Sequence, residues 1–365
     1  MFGYLPPPHF GPSTAYTALM RSEFAQRCQI HFINLRVARD IQDLEKFRWS
    51  KLARLAQFFA QELFLLVTHR FDFVCYPISF NRNAFLKDAL LLGMARLRGV
   101  PTVLFAHGNG LPEFYDRSPR WLRRVIHATI DNAAAAIVLG DALRFNFEHH
   151  LPPERIAVVP LGIEDNPPLP PRHRTDDRPT VLFLSNLIPE KGVFVLLDAI
   201  PAIIRERPDA RFVFAGRWWS EEVRLQAEQT IKATGIADHV TFTGLVVGDA
   251  KWLALVSADL LAFPTFYHYE TFGFVLLEAM RAGLPVVTTA RAAIPEIIRD
   301  GVNGLLVAEQ DPGDLARKIL QLLNDPKRRA QMSQANRERF ASFYTNEHYG
   351  RRMLQVFQSL QASQP

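Results

Sequence analysis

The sequence predicts an α/β protein made of two Rossmann-like, doubly wound parallel-sheet domains in tandem. Three observations carry that prediction. The chain has 365 residues, too many for one ordinary domain and comfortable for two, since domains commonly run to roughly 100 to 200 residues. Short apolar runs rich in β-branched and aromatic residues alternate with helix-length segments, the pattern of βαβ units whose strands are covered on both faces. The alternation also stops once, at a proline-dense stretch, and then restarts.

In the first half, residues 29–34 (QIHFIN), 71–77 (FDFVCYP), 102–106 (TVLFA), 135–139 (AAIVL) and 156–160 (IAVVP) read as strands, with helices at 44–68 and 83–98. Residues 166–179 (NPPLPPRHRTDDRP) are dense in proline and charge and have no periodicity, as a linker does. Strands resume at 180–184 (TVLFL), 211–215 (RFVFA), 240–242, 260–263 and 285–288, with helices at 193–206 and 221–234. The expected domains are therefore 1–165 and 180–345, joined by 166–179. A last helix at 346–360, within a tail of 346–365, lies beyond the second repeat and is expected to cross back to the first domain. Parallel sheets of this kind bind ligands outside the carboxyl ends of their strands, so two such edges facing each other would make a cleft.

Composition narrows the classes. With 48% hydrophobic and 22% charged residues the chain reads as folded, and no run approaches the ~18 apolar residues of a membrane span. The opening MFGYLPPPHFG lacks the basic start and apolar middle of a secretory signal, and Cys28 and Cys75 are too few for a disulfide framework, which points to the cytoplasm. A net charge of +5 suits an acidic partner. Nucleic acid is not the expected one, because the basic residues are scattered, without an aromatic-interleaved ribbon or a Cys/His finger. There is no Asp-any-Asp pair and no cluster of His or Cys ligands, so no metal is expected.

Residues 263–289 read FPTFYHYETFGFVLLEAMRAGLPVVTT. The spacing predicts a strand end, a polar aromatic loop and a helix starting near Thr271, its hydroxyl the N-cap, with Gly273 in the first turn. A glycine there costs roughly 1 kcal/mol against alanine and is explained when a ligand must approach the backbone. The amides of Phe272, Gly273 and Phe274 would meet an anion at the positive end of that helix. Glu270 and Glu278 stand eight positions apart, about 12 Å along a helix rising ~1.5 Å per residue, comparable to an extended nucleotide sugar from hexose to ribose. Taken singly, either is also readable as a solvated charge, but Glu278 sits between Leu277 and Ala279 in an apolar run, a poor place for one.

The stretch YETFGFVLLEAMRAGLPVV, with PEIIRDGVNGLLV at 295–307, resembles the retaining glycosyltransferases of family 4 (glycosyl transferases group 1), which have the two-domain GT-B fold. The resemblance is strong over 180–323 and loose over the first half. It implies a metal-independent, retaining glycosyltransferase, with no cofactor, that moves a sugar from a nucleotide-sugar donor to a glycan, lipid-linked or small-molecule acceptor, as in polysaccharide or glycoconjugate synthesis. In that family's terms Glu270 would hold the donor sugar and steady the developing positive charge, and Glu278 would hold the ribose. Lys191, in SNLIPEKG, would stabilise the departing diphosphate; Asn186 stands where the family usually has arginine. His107, in FAHGNG, would orient hydroxyls or move a proton. Gly216 and Arg217 in AGRWW, and Val246 in TFTGLV, would frame the nucleotide. Gly11 and Ser13, in PPPHFGPST, stand where the family has a Gly-Gly turn.

Arg117, Arg120, Arg123 and Arg124 surround Trp121, Leu122 and Val125. That pattern suits an anionic lipid surface at the inner face of a membrane, and equally a solvated helix face with one packed aromatic. Two further readings share the fold: a nucleotide-sugar epimerase, and a non-catalytic nucleotide-sugar or lipid-head-group binding module, the latter suggested by Asn186 and the altered first loop. A dehydrogenase would need GxGxxG after a strand, and none occurs.

Overall fold

A computed structural model describes residues 1–6, 11–35, 49–172 and 176–363. It is an α/β chain with parallel sheets in two compact units, Met1–Ile163 with Asn346–Pro365, and Glu164–Thr345.

The first unit runs β1 (Phe2–Gly3), α1 (Gly11–Met20), α2 (Glu23–Arg27), β2 (Ile33–Asn34), α3 (Trp49–Thr68), β3 (Val74–Pro77), α4 (Arg82–Leu97), β4 (Thr102–Phe105), α5 (Leu111–Arg117), α6 (Arg120–Ile130), β5 (Ala135–Val138) and β6 (Ile156–Val158). Strands β3, β4, β5 and β6 pair in that order, all parallel, and β1 pairs with β2. Every residue of β3, β4 and β5 is buried, as expected of strands covered on both faces. The strand expected over 29–34 shrinks to two residues, and the one over 71–77 begins only at Val74. Part of the helix expected over 44–68, residues 44–48, lies outside the described residues, as do 7–10 of the first loop and 173–175 of the linker. Gly11 and Ser13, where the family has a Gly-Gly turn, lie in the first turn of α1; Ser13 is fully buried and its carbonyl accepts a hydrogen bond from the Thr17 hydroxyl.

The second unit runs β7 (Thr180–Leu184), α7 (Val193–Glu206), β8 (Arg211–Ala215), α8 (Glu221–Thr234), β9 (Val240–Gly244), α9 (Asp249–Ser257), β10 (Leu260–Phe263), α10 (Phe274–Ala282), β11 (Val286–Thr289), α11 (Ile294–Ile297), β12 (Gly304–Val307), α12 (Pro312–Leu323) and α13 (Pro326–Phe343). Its six strands are parallel in the order β12-β11-β10-β7-β8-β9. Counted from β7 this is the doubly wound order 3-2-1-4-5-6, which reverses direction between β7 and β10 and opens a crevice at their carboxyl ends. Phe183, Phe212, Phe214, Leu196, Ile200 and Ile203 are fully buried between sheet and helices, each worth about 1.5–3 kcal/mol relative to exposure. Ser220 caps α8 through the Val223 amide, Asp311 caps α12 through the Asp314 amide, and Gly235 ends α8 in the left-handed region.

The last helix, α14 (Asn346–Ala362), belongs to the first unit. It lies so close to the start of α2 that a Cβ on Gly350 would fall 2.1 Å from the Ser22 hydroxyl oxygen. Phe357 packs against Phe24 and Phe73, with ring centroids 5.6 and 5.4 Å apart. Among the described residues no helix is long and apolar enough to cross a membrane.

Candidate functional site

The crevice between β7 and β10 is built by the two loops that leave those strands. After β7 the chain makes a single turn at Pro189–Lys191, and Gly192, at φ 92°, starts α7. Only glycine serves there: beyond its left-handed backbone, a Cβ would lie 2.3 Å from the Pro264 carbonyl oxygen. That contact presses the loop against the end of β10, and the Phe266 amide donates to the Glu190 carbonyl at 2.8 Å. Lys191 and Glu270, 79 residues apart, are thereby brought into a direct ion pair. The Lys191 ammonium also lies 4.6 Å from the Tyr267 ring centroid and 5.6 Å from that of Phe263. Burial, reinforced by Tyr269, Glu270 and Glu190, pushes the Tyr267 phenol up, so it stays protonated at neutral pH.

The helix expected to begin near Thr271 begins at Phe274. Gly273, at φ 78°, is its N-cap, and the Thr271 carbonyl instead accepts from the Ala293 amide. A left-handed residue cannot continue an α-helix, so the glycine that looked like a tolerated first-turn residue is the one that starts the helix. Glu270 and Thr271 precede it, and the 12 Å separation inferred from continuous helix does not apply. Thr271 and Phe272 are buried and Phe274 is half-buried. The α10 N-terminus remains at the carboxyl end of β10, where its first amides favour an anion. One helical turn further on, Glu278 meets Lys251 of α9 at 2.5 Å, its side chain 13% exposed.

Beside this pair of loops runs a third. The Leu187 amide donates to the Arg217 carbonyl at 2.8 Å, and the Gly216 amide to that of Gly244 at the same distance. A Cβ on Gly216 would fall 1.7 Å from the Ser185 carbonyl oxygen, so the two loops touch backbone to backbone. Asn186 and Arg217 are exposed at this edge, and Val246 is half-buried beyond β9.

Residues 167–339 match the family model described as Glycosyl transferases group 1, and residues 16–166 the one described as Glycosyltransferase Family 4. A GDP-mannose-dependent alpha-(1-6)-phosphatidylinositol monomannoside mannosyltransferase of Mycobacterium tuberculosis is 31% identical over 266 residues, 68% of each chain. The chain belongs to the group 1 glycosyl transferases of family 4. It is also similar to an alpha-D-kanosaminyltransferase of Streptomyces kanamyceticus, 29% identical over 262 residues and 66% of each chain; it thus spans about two thirds of the length of these relatives. The crystal structure of the Anabaena protein HepE in complex with UDP superposes with a TM-score of 0.69 over 84% of both chains at 21% identity, a likeness of GT-B fold.

In this group 1 glycosyl transferase the second unit gathers Lys191, Glu270, Gly273, Phe274, Glu278, Asn186, Gly216 and Arg217 along one edge of its sheet. His107 belongs to the first unit, just past β4, with its ring 4.2 Å from that of Phe105 and 5.2 Å from that of Tyr16. Desolvation there pushes its imidazole down to about 3. At neutral pH it is uncharged and fit to orient a hydroxyl; a proton transfer near pH 7 would want a pKa closer to that value. Around α6, Leu122 is buried, Val125 half-buried, Trp121 46% exposed, and Arg117, Arg120 and Arg124 exposed. Arg123 is folded onto its own segment, its guanidinium donating to the Ser118 carbonyl at 2.9 Å and to that of Asp116 at 2.5 Å. Sequence reasoning missed Lys251, Tyr267 and Gly192. Gly192 carried a local signal, a glycine directly before an apolar helix; the partners of Lys251 and Tyr267 are distant in sequence and left none.

Proposed function

We propose that this protein transfers a glycosyl group from a nucleotide-sugar donor to a glycan, lipid-linked or small-molecule acceptor, with retention at the anomeric carbon and without a metal ion. The observation that carries the reading is the pairing of Lys191 with Glu270 at the switch point of the sheet, beside the N-terminus of α10 and one turn from Glu278. In that arrangement the Lys191 ammonium and the first amides of α10 neutralise the diphosphate as the glycosidic bond breaks. Glu270 accepts hydrogen bonds from donor-sugar hydroxyls and steadies positive charge at the anomeric carbon, and Glu278 accepts them from the ribose. Donor binding divides Lys191 between Glu270 and the phosphates, so the ion pair orients both groups before substrate arrives. His107, neutral, orients a hydroxyl by hydrogen bonding.

The test is ligand-dependent thermal shift in a metal-free buffer, with GDP-mannose, UDP-glucose and the corresponding nucleoside diphosphates. A ligand at 100 times its dissociation constant adds about 2.7 kcal/mol of stability. One nucleotide is expected to stabilise the wild type, with Lys191→Ala and Glu278→Ala losing the effect. Slow release of the α-configured sugar into water, followed by NMR without acceptor, then separates an enzyme from a binder. No binding by any nucleotide overturns the donor site; binding with no cleavage, or release of the β-anomer first, overturns retaining transfer; a requirement for added magnesium overturns metal independence.

A further inference from the structure

In the first unit the fold brings together three side chains of metal-ligating type that are spread over the sequence. His127, on the last turn of α6, Asp131, the C-cap of that helix, and His150 bring their ligand atoms within 4.8 Å of one another. The two Nδ1 atoms face the two oxygens of one carboxylate, His127 to Oδ2 at 2.9 Å and His150 to Oδ1 at 2.7 Å. We propose that His127, Asp131 and His150 bind a divalent transition-metal ion, zinc by the chemistry of the donors, which ties the end of α6 to the segment ending at His150. This inference does not draw on the donor-site reading.

Several features point the same way. Two imidazole nitrogens and one carboxylate form a donor set for a borderline ion such as zinc and a poor one for magnesium or calcium. Zinc bonds of about 2.0–2.2 Å would set neighbouring ligand atoms about 3.4 Å apart, so the two imidazole–carboxylate contacts need open by only about half an ångström, and the two imidazole nitrogens already lie within 4.8 Å of each other. Tyr115 meets His127 Nε2 at 2.9 Å, so with Nε2–H donating to the phenol oxygen, Nδ1 turns its lone pair to the ion. Asp131 also places a carboxylate at the negative end of α6, where a cation and not an anion is favoured, and its partners are the two histidines. Nearby Arg123 stacks over Tyr115 and spends its N–H groups on backbone carbonyls. The His127 and Asp131 side chains are 46% and 41% exposed, which admits an ion and leaves room for water to complete its shell, while His150, at 5%, anchors the site from below.

The experiment is calorimetric titration of the chelator-treated full chain with zinc chloride, beside magnesium chloride. One zinc per chain is expected, no magnesium, and affinity at least tenfold weaker in Asp131→Asn and in His150→Gln. His149→Gln, a change at the exposed neighbour, should bind as wild type. The proposal is overturned by no zinc binding, by equal binding to wild type and both site variants, or by loss in His149→Gln as large as in the others. Should a site variant fail to fold, copper(II) bound to the wild type decides: its electron paramagnetic resonance is expected to carry nitrogen couplings from two imidazoles, and an all-oxygen spectrum overturns the site.

Discussion

Lys191→Met and Glu270→Gln, singly and together, probe the ion pair on which the donor-site reading rests. The two side chains are 15% and 10% exposed, so removing one charge strands the other in largely dry surroundings. For fully buried pairs such a loss costs roughly 3–5 kcal/mol; with the remaining exposure and solvent screening, about 2 kcal/mol is expected for each single change. The double variant leaves no unpaired charge at similar volume and should lie within about 1 kcal/mol of wild type, because exchanging an ion pair for neutral groups is close to neutral. A coupling energy of about 3 kcal/mol follows, well above the ~0.5 kcal/mol expected of independent sites. The assay is urea unfolding of the ligand-free chain, followed by tryptophan fluorescence, to which Trp218, Trp219 and Trp252 contribute from the second unit, and fitted with one transition per unit. The double variant should recover stability and still bind no nucleoside diphosphate. Additive single effects would refute the pairing and, with it, the arrangement from which the roles of Lys191 and Glu270 are argued.

Glycine substitutions separate contact from conformation: Gly216→Ala, whose Cβ would fall 1.7 Å from a carbonyl oxygen, should cost about 2–3 kcal/mol and weaken nucleotide binding. Gly235→Ala, with left-handed φ but open space around it, should cost about 1 kcal/mol and leave binding unchanged; thermal melts with and without nucleotide distinguish the two. Glu278→Ala should raise the donor KM by about 10- to 100-fold, the worth of a hydrogen bond to a charged group, whereas Lys251→Ala, which removes only a half-exposed partner, should change it several-fold at most; steady-state kinetics compares them. Glu62, on α3, is 2% exposed, and burial pushes its carboxyl up to about 8. Because the folded state keeps this proton while the unfolded chain loses it near 4.5, stability is fully present below that pH and falls as pH rises towards 8. Melting temperatures at pH 5 and 8.5 should therefore diverge for wild type and converge for Glu62→Gln; parallel behaviour would refute the assignment.

Much of the second unit was readable without coordinates. The bounds of β7, β8, β10, α7 and α8 coincide with the apolar runs and helical periods, because strands buried on both faces must be continuously apolar and these helices are followed by stop signals, Pro208 and Gly235. The first half was read less well. Apolar runs there extend beyond the few residues that pair, as in β2 and β3, and hydrophobicity reports burial, not pairing. Gly273 shows how a local rule misleads: threonine followed by an apolar helix looks like a cap, yet a glycine at positive φ takes that role.

By itself, then, the sequence determined the two larger parallel sheets, the break between them and the glutamate motif, all of which rest on burial and chain stiffness over a few residues. Only the tertiary structure decided that Lys191 meets Glu270, that Lys251 meets Glu278, and that His150 joins His127 and Asp131. The His127–Asp131 half of that last cluster is a four-residue helical spacing visible in the chain. The other partners lie 19 to 79 residues apart, and what joins them is the order in which strands pack into a sheet, a non-local choice that no short stretch of sequence encodes.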